Sequence, residues 1–525
     1  KVHWKDEDDP LPEDFSFQLY PDDLDRLEWY VDDAMKRVPI LGRAGISKVI
    51  NGPIPYTPDG NPLIGPSPGL KNVFEACVFT FGIAQGGGAG KVLAEWITEG
   101  STEWDMWSCD PRRFTAFADD DYCQAKAAEV YGHEYAIHFP FYSWPAGRNK
   151  KRSPIHDKII EKGGQMGAYN GWERANWFAK PGDDTSEAST QTWKREGPWF
   201  QRIKEECLAV NSDVGVLDLA GFARYHVSGV GAGDWLLSQI VGGLPAVNRI
   251  SLGYFSDERG RVLTEMSIMN FGKDEFTLIT AGSAQWHDLE VLKKGITEGS
   301  KINVVDQTEE WFCLIVTGPK SRSLMSKISN ADLELPWLSL QRVKILNKDV
   351  LLARVSYAGE LGWEIHVRKQ DLPEVYDLVI SEGATPFGMF ALDSLRVEKG
   401  YRAWKGDLST DYTILESGLG RFIKFDKAQS FPGKEALLKE KQRGETKKFV
   451  TMIVEGNECD APYMSTVMFD GKIVGEVTSG AYGHRVGSSI ALGMVIADVA
   501  KPYQQVSIDI FGRSYNAIIQ EPGPL

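Results

Sequence analysis

The chain has 525 residues, with 58 lysines and arginines against 73 aspartates and glutamates, a formal net charge of -15 at pH 7. That balance speaks against nucleic acid as a main partner, because phosphate binding needs basic surface, and no apolar run reaches the roughly 20 residues of a membrane span. An apolar fraction of 42% over this length leaves room for sizeable cores in several domains.

The opening, KVHWKDEDDPLPEDF, is too charged for a secretory h-region. DFSFQLYPDDLDRLEWYVDDAMKRVPIL then reads as a strand and a helix with no nucleotide-binding turn ahead of them, which fits a trimmed or processed piece of a longer chain. At FTFGIAQGGGAGKVLAEW (79–96) a strand is expected over Val78 to Phe81, then a glycine turn, then a helix from about Ala89 with Val92, Leu93 and Trp96 on one face. A Walker loop would need glycine at Gln85 and a hydroxyl residue at Val92, and a G-x-G-x-x-G fingerprint starting at Gly86 fails at Lys91. Backbone N–H groups at such a turn suit a flat or anionic ligand. A tight turn packed against a neighbouring strand is the other reading, and the residues alone leave both open.

Residues 1–100 thus form an α/β segment closed by EGSTEWD, and 101–155 an aromatic, polar connector ending in FPFYSWPAGRNKKRSP. From 156 to 440 strands and helices alternate in a mixed α+β pattern. The expected elements are a polar loop at 180–197, strand 221–228, helix 233–241, strands near 249–254 and 261–270 joined by a hairpin at SDERGRVL, strand 276–281 and helix 283–296. A basic hinge, KEKQRGETKK (439–448), precedes an all-β tail, 441–525, in which Asp470-Gly471 marks a hairpin turn. The six cysteines form no C-x-x-C pair and the eight histidines no H-E-x-x-H, so no metal site is expected. Reduced thiols and a cytoplasmic location, or the mitochondrial matrix in a eukaryote, are the default.

NGPIPYTPDGNPLIGP followed by FGIAQGGGAGKVLAEWITEG resembles the end of the flavin domain in the dimethylglycine and sarcosine dehydrogenase family. GAYNGWERANWF, VGVLDLAGFARY, GRVLTEMSIM, VTGPKSR, SYAGELGWEIH, ALDSLRVEKGYRAW and TSGAYGHRVGSSIALGMV resemble the folate-binding aminomethyltransferase fold that those enzymes carry behind it. The resemblance covers essentially the whole chain, in the family's order. It implies an α+β protein: the last part of a FAD-dependent amine oxidoreductase domain (1–100), the connector, a folate-binding aminomethyltransferase-like unit (156–440) and its C-terminal β-barrel (441–525). Gly82, Ile83, Ala84, Gln85, Gly86 and Gly87 would lie beneath the flavin ring. The implied activity is flavin- and tetrahydrofolate-dependent oxidative demethylation of a small N-methylated amine, the one-carbon unit being captured as 5,10-methylenetetrahydrofolate. The family's nucleotide-binding fingerprint and flavin-bearing histidine match nothing here, so FAD would bind only with a missing N-terminal segment or a partner subunit completing the site.

Tyr357-Ala-Gly-Glu360-Leu-Gly-Trp363-Glu364-Ile-His366 matches the family's Y-x-G-E-x-G-x-E motif. The resemblance makes Glu364 the carboxylate that pairs with the adjacent N–H donors of a pterin edge, sets Tyr357 against the ring, and places His366 on the same strand face. Arg396 matches an arginine of the pterin site. A solvated Glu364 and an Arg396 paired with Asp393 or Glu398 are the structural alternatives. Thr264 and Glu265 stand where aminomethyltransferases have paired aspartates, which makes Glu265 the catalytic carboxylate that orients the folate amine or moves its proton. Leu252 and Met269 replace tyrosines of that site. Two rival functions remain: a stand-alone or split-subunit folate-dependent aminomethyl or methyl transferase, and a non-catalytic regulatory homologue on the same two-domain plan.

Overall fold

The computed structural model describes residues 15–136, 138–456 and 458–525; the charged opening, residues 1–14, lies outside them. In place of the first expected strand there is a bridge between Tyr20 and Asn51, followed by the expected helix, Glu28–Arg37, none of whose residues is buried. Strands Leu63–Pro66 and Phe74–Cys77 pair antiparallel and lead into the helix Gly82–Glu99, which ends at Gly100 in the left-handed conformation.

That helix corrects two expectations. The strand lies before Val78, and the glycines form the first turns of the helix, whose ladder already runs at Gln85 N–H to the Phe81 carbonyl, 3.0 Å. Glycine weakens a helix by about 0.5–1 kcal/mol per residue but does not forbid it, and the C-terminal half is held by Ala89 and Val92 packing on Ile64.

Two sheets follow. The first has five antiparallel strands in the order Asn303–Asp306, Phe222–Ser228, Glu275–Ala281, Val262–Gly272, Arg249–Ser256. Its Met266 and Ile268 face a core with Leu236 and Leu292 of the helices Ala232–Gln239 and Gln285–Lys294. The period of 2 then turns Glu265 and Met269 to the opposite side. The second sheet has the order Leu340–Ile345, Lys348–Ala353, Gly362–Arg368, Trp311–Thr317, Gly215–Asp218, Thr385–Pro386, only the last pair being parallel. Its Leu314, Val316, Ile365 and Val367 pack under helices that include Ser321–Ile328 and Leu372–Ser381.

The two sheets meet where Ile250 and Met269 pack on Leu340, Leu351 and Ala353. Met269, in place of a tyrosine, is therefore part of this seam, whereas Leu252 on the neighbouring strand is exposed. The expected basic hinge is absent as such: residues up to Arg443 complete the helix Lys434–Arg443, Gly444 ends it, and Lys447 already begins a barrel strand. Six strands between Lys447 and Ile519 close that barrel, with Asp470 and Gly471 at positive φ in the expected hairpin turn.

Candidate functional site

Glu265 is opposite Tyr254 in the strand register, and the Tyr254 hydroxyl donates to its carboxylate. Burial pushes the Glu265 carboxyl above the ordinary glutamate range, while the Tyr254 hydrogen bond and the Arg402 charge pull it back. Arg402 is held by Nε to the Ser417 carbonyl, 2.8 Å, and Nη1 to the Gly400 carbonyl, 3.3 Å. Above it, the Tyr357 hydroxyl donates to the Arg402 carbonyl at 2.7 Å, and the Tyr357 ring stacks on Tyr401 at 5.8 Å. Burial raises the Tyr357 phenol, with Asp407 and Glu265 adding to the rise, so Tyr357 and Glu265 share one electrostatic neighbourhood.

Tyr357 is not on the strand that carries Glu364. The strand begins at Gly362, and Gly359 at φ 74° turns the chain between them. Tyr357 and His366 therefore do not share a strand face. Arg396 is buried on the helix Met389–Glu398, and its partners are internal. Nε meets Asp393 at 2.7 Å, Nη1 meets the Tyr401 carbonyl at 3.1 Å and Asp407 at 2.8 Å, and Nη2 meets the Ser479 hydroxyl at 2.9 Å. One of its five N–H groups is left over. Burial works against its charge, and Asp393 and Asp407 overcome that and hold it protonated. Arg396 thus ties the helix to the 401–408 loop and the barrel, and the Asp393 pairing foreseen as an alternative is present.

Glu364 and His366 do share a face, two residues apart on one strand. His366 Nε2 is 3.1 Å from Glu364 Oε2 and its Nδ1 is 3.3 Å from Nη1 of Arg224. Arginine only donates, so Nδ1 accepts and the ring proton sits on Nε2, facing Glu364. Cys313, Glu364 and His366 offer ligand atoms within 4.8 Å of one another. The tautomer imposed by Arg224 leaves His366 no lone pair for a cation there.

The glycine helix has a different character. A Cβ at Gly86, Gly87, Gly88 or Gly90 would meet nothing within 4 Å, and Ile83 is fully exposed. Gln85 Oε1, by contrast, is buried without a hydrogen-bond partner. The far end of this helix is clamped to the hairpin leading into the Glu265 strand. Arg259 Nη1 reaches the Thr102 carbonyl at 3.1 Å and Nη2 pairs with Glu99, while Arg261 Nη1 reaches the Thr102 carbonyl at 3.1 Å and that of Glu103. Asp105, next along, takes Lys405 and the Thr410 hydroxyl at 2.9 Å on the loop that carries Arg402 and Asp407.

Family profiles match in four consecutive pieces: FAD dependent oxidoreductase (6–96), FAD dependent oxidoreductase central domain (99–153), GCVT N-terminal domain (155–427) and glycine cleavage T-protein C-terminal barrel domain (447–524). The chain belongs to the family of the GCVT N-terminal domain. It is 34% identical over 521 residues to mitochondrial dimethylglycine dehydrogenase of Rattus norvegicus, a match covering 98% of this chain and 60% of that protein. It is 33% identical over 475 residues to the formaldehyde-forming 4-methylaminobutanoate oxidase of Paenarthrobacter nicotinovorans, covering 88% and 57%. The glycine cleavage aminomethyltransferase T of Bartonella henselae superposes with a TM-score of 0.62 at 20% identity, covering 71% of this chain and 97% of that one, which shows a shared fold. The chain thus spans about 60% of the length of the dehydrogenase it matches.

Arg224, Arg402 and Tyr254 complete these clusters without having been assigned roles from the sequence. The available signal for Arg224 was a charged residue between buried Ala223 and Tyr225 on a strand.

Proposed function

We propose that this chain is the folate-binding part, with the adjoining end of the flavin part, of a dimethylglycine-dehydrogenase-like amine demethylase. Residues 1–100 belong to the flavin domain, 101–155 connect, 156–440 bind tetrahydrofolate, and 441–525 form the barrel that braces them. The observation that carries the reading is the convergence of Glu265, Tyr254, Arg402 and Tyr357 beside the strip between the two sheets, in a chain whose relatives pair this fold with amine oxidation.

The glycine helix fits a flavin: side-chain-free positions open to a planar group, and a buried Gln85 oxygen without a hydrogen-bond partner in the same first turns, support Gly82 to Gly87 as its contact segment. FAD, when bound, supplies the two-electron oxidation of the N-methyl group. The chain's own residues do the rest. Glu364 accepts the pterin N–H pair, Tyr357 covers the ring, and Arg396 holds the 401–408 loop in place. Glu265 takes the proton from the folate amine as its nitrogen bonds to the one-carbon unit, and a carboxyl raised by burial is a stronger base for that step than a solvated one. Tyr254 fixes the orientation of Glu265. Dimethylglycine or sarcosine is the favoured substrate class, and the location is the cytoplasm or, in a eukaryote, the mitochondrial matrix.

The test is calorimetric titration of tetrahydrofolate into the chain, followed, in a preparation carrying FAD, by formaldehyde release from dimethylglycine with and without tetrahydrofolate. Saturable folate binding and suppressed formaldehyde release are expected. Absence of binding, as a regulatory homologue would give, removes the reading.

A further inference from the structure

Arg224 is 6% exposed, on the strand Phe222–Ser228 of the first sheet, and has no carboxylate within ion-pair distance among the described residues. Nη1 points at His366 Nδ1, Nε has no acceptor, and the guanidinium lies 4.9 Å from the Trp311 ring. A buried, unpaired guanidinium is expensive to keep in a core, and burial pushes it down to about 10. Packing alone would be served by methionine or leucine. Among the described residues, the hydrogen bond its side chain makes is to His366.

From these contacts we infer that Arg224 and His366 are positioning residues for Glu364: Arg224 locks the imidazole as its Nε2–H tautomer, and that N–H occupies one lone pair of Oε2 and fixes the carboxylate so that the remaining lone pairs of both oxygens accept the pterin N–H pair. The chain of donation runs in one direction, from Arg224 on the first sheet through His366 to Glu364 on the second, and also joins the sheets next to the Met269 seam. This assignment rests on the folate reading of Glu364. The charged and titratable groups around His366 are Arg224 from the first sheet, Cys313 opposite it in register on Trp311–Thr317, and Glu364 with Arg368 on its own strand. The neighbouring strand contributes apolar Leu351. Burial and the Arg224 charge disfavour the imidazolium against the opposing pull of Glu364, and a ring that accepts from Arg224 at Nδ1 while donating to Glu364 at Nε2 is neutral.

Glutamine can reproduce the neutral ring, with an amide oxygen toward Arg224 and an amide N–H toward Glu364, whereas leucine cannot. The experiment is isothermal titration of tetrahydrofolate into the wild-type chain and the variants His366→Gln, His366→Leu and Arg224→Met, at several pH values between about 6 and 8. Affinity is expected to fall about tenfold in His366→Leu, the worth of one hydrogen bond to a charged group, and to stay within about twofold of wild type in His366→Gln. In Arg224→Met the ring is free to change tautomer, turning a lone pair on Glu364, and to protonate. Its affinity should therefore weaken as pH rises through this window, while the wild type stays flat. Arg224→Met removes a buried charge and keeps the volume, so it is the variant to rely on if His366→Leu does not fold. Equal losses in both His366 variants, or a flat profile in Arg224→Met, overturn the relay while leaving the folate site intact. A wild-type chain that binds no tetrahydrofolate overturns the folate reading, and the relay with it.

Discussion

Glycine is used in opposite ways at the two ends of this molecule. Gly388, between the second sheet and its covering helix, has the Asn176 carbonyl oxygen 2.2 Å from where a Cβ would stand, so the fold requires its missing side chain. At Gly86, Gly87 and Gly88 an added Cβ would meet no described atom within 4 Å outside the helix itself, although a helix made of them is weaker than one made of alanine. The surrounding surface differs in the same sense: the two sheets and the barrel bury alternate apolar residues, whereas Trp29, Tyr30, Ile40, Ile50 and Ile83 of the first hundred residues are exposed. The first hundred residues thus combine open glycines with individually exposed apolar side chains, whereas the later sheets and barrel bury theirs in cores within the chain.

The strongest challenge to that contrast is Arg396→Leu. It strands the buried Asp407, and a loss of about 3–5 kcal/mol in urea unfolding is expected; an unchanged midpoint would show that the 401–408 loop needs no internal counter-charge. Next is Glu265→Gln, expected to slow one-carbon capture about 100-fold with tetrahydrofolate affinity within about threefold. In the wild type, capture should fall as pH drops through a carboxyl pKa above the ordinary glutamate range, the direction in which burial moves Glu265. A limb at or below that range would place the proton elsewhere.

Asp218→Asn is smaller. Burial pushes this carboxyl up to about 6, so between the ordinary aspartate range and pH 6 the folded chain holds a proton that the unfolded chain releases. Stability is greatest below that window and declines as pH rises through it. The variant should gain about 2 kcal/mol at pH 7 and almost nothing near pH 4, read from thermal midpoints at the two pH values. Smallest is Gly87→Ala, which should stabilise the chain by about 0.5–1 kcal/mol, with the same exchange at Gly388 giving the opposite sign. A loss at Gly87 would mean the glycine helix already has a neighbour.

Alternation made the central strands and the Asp470-Gly471 hairpin readable, because each buries one face or forces one backbone conformation. The glycine helix was misread, since propensity disfavours a helix that the anchors Ala89 and Val92 nonetheless hold. Tyr357 was placed on a strand because its motif continues into one, and Gly359 could have signalled the turn. Local sequence carries no sign that Arg396 spends its donors on Tyr401, Asp407 and Ser479, the last 83 residues away. Nor could spacing reveal Arg224, whose partner His366 lies 142 residues further on.

The helix Gly82–Glu99 has its open glycines at one end and its clamp to the Glu265 hairpin at the other. Eighteen residues at about 1.5 Å each make a rod of about 27 Å. Such a rod works as a ruler: it cannot stretch, and inserting one residue would lengthen it by about 1.5 Å and swing its far end by about 100°. Evolution can therefore retune what binds at either end freely, but can alter the separation between them only in whole helical turns.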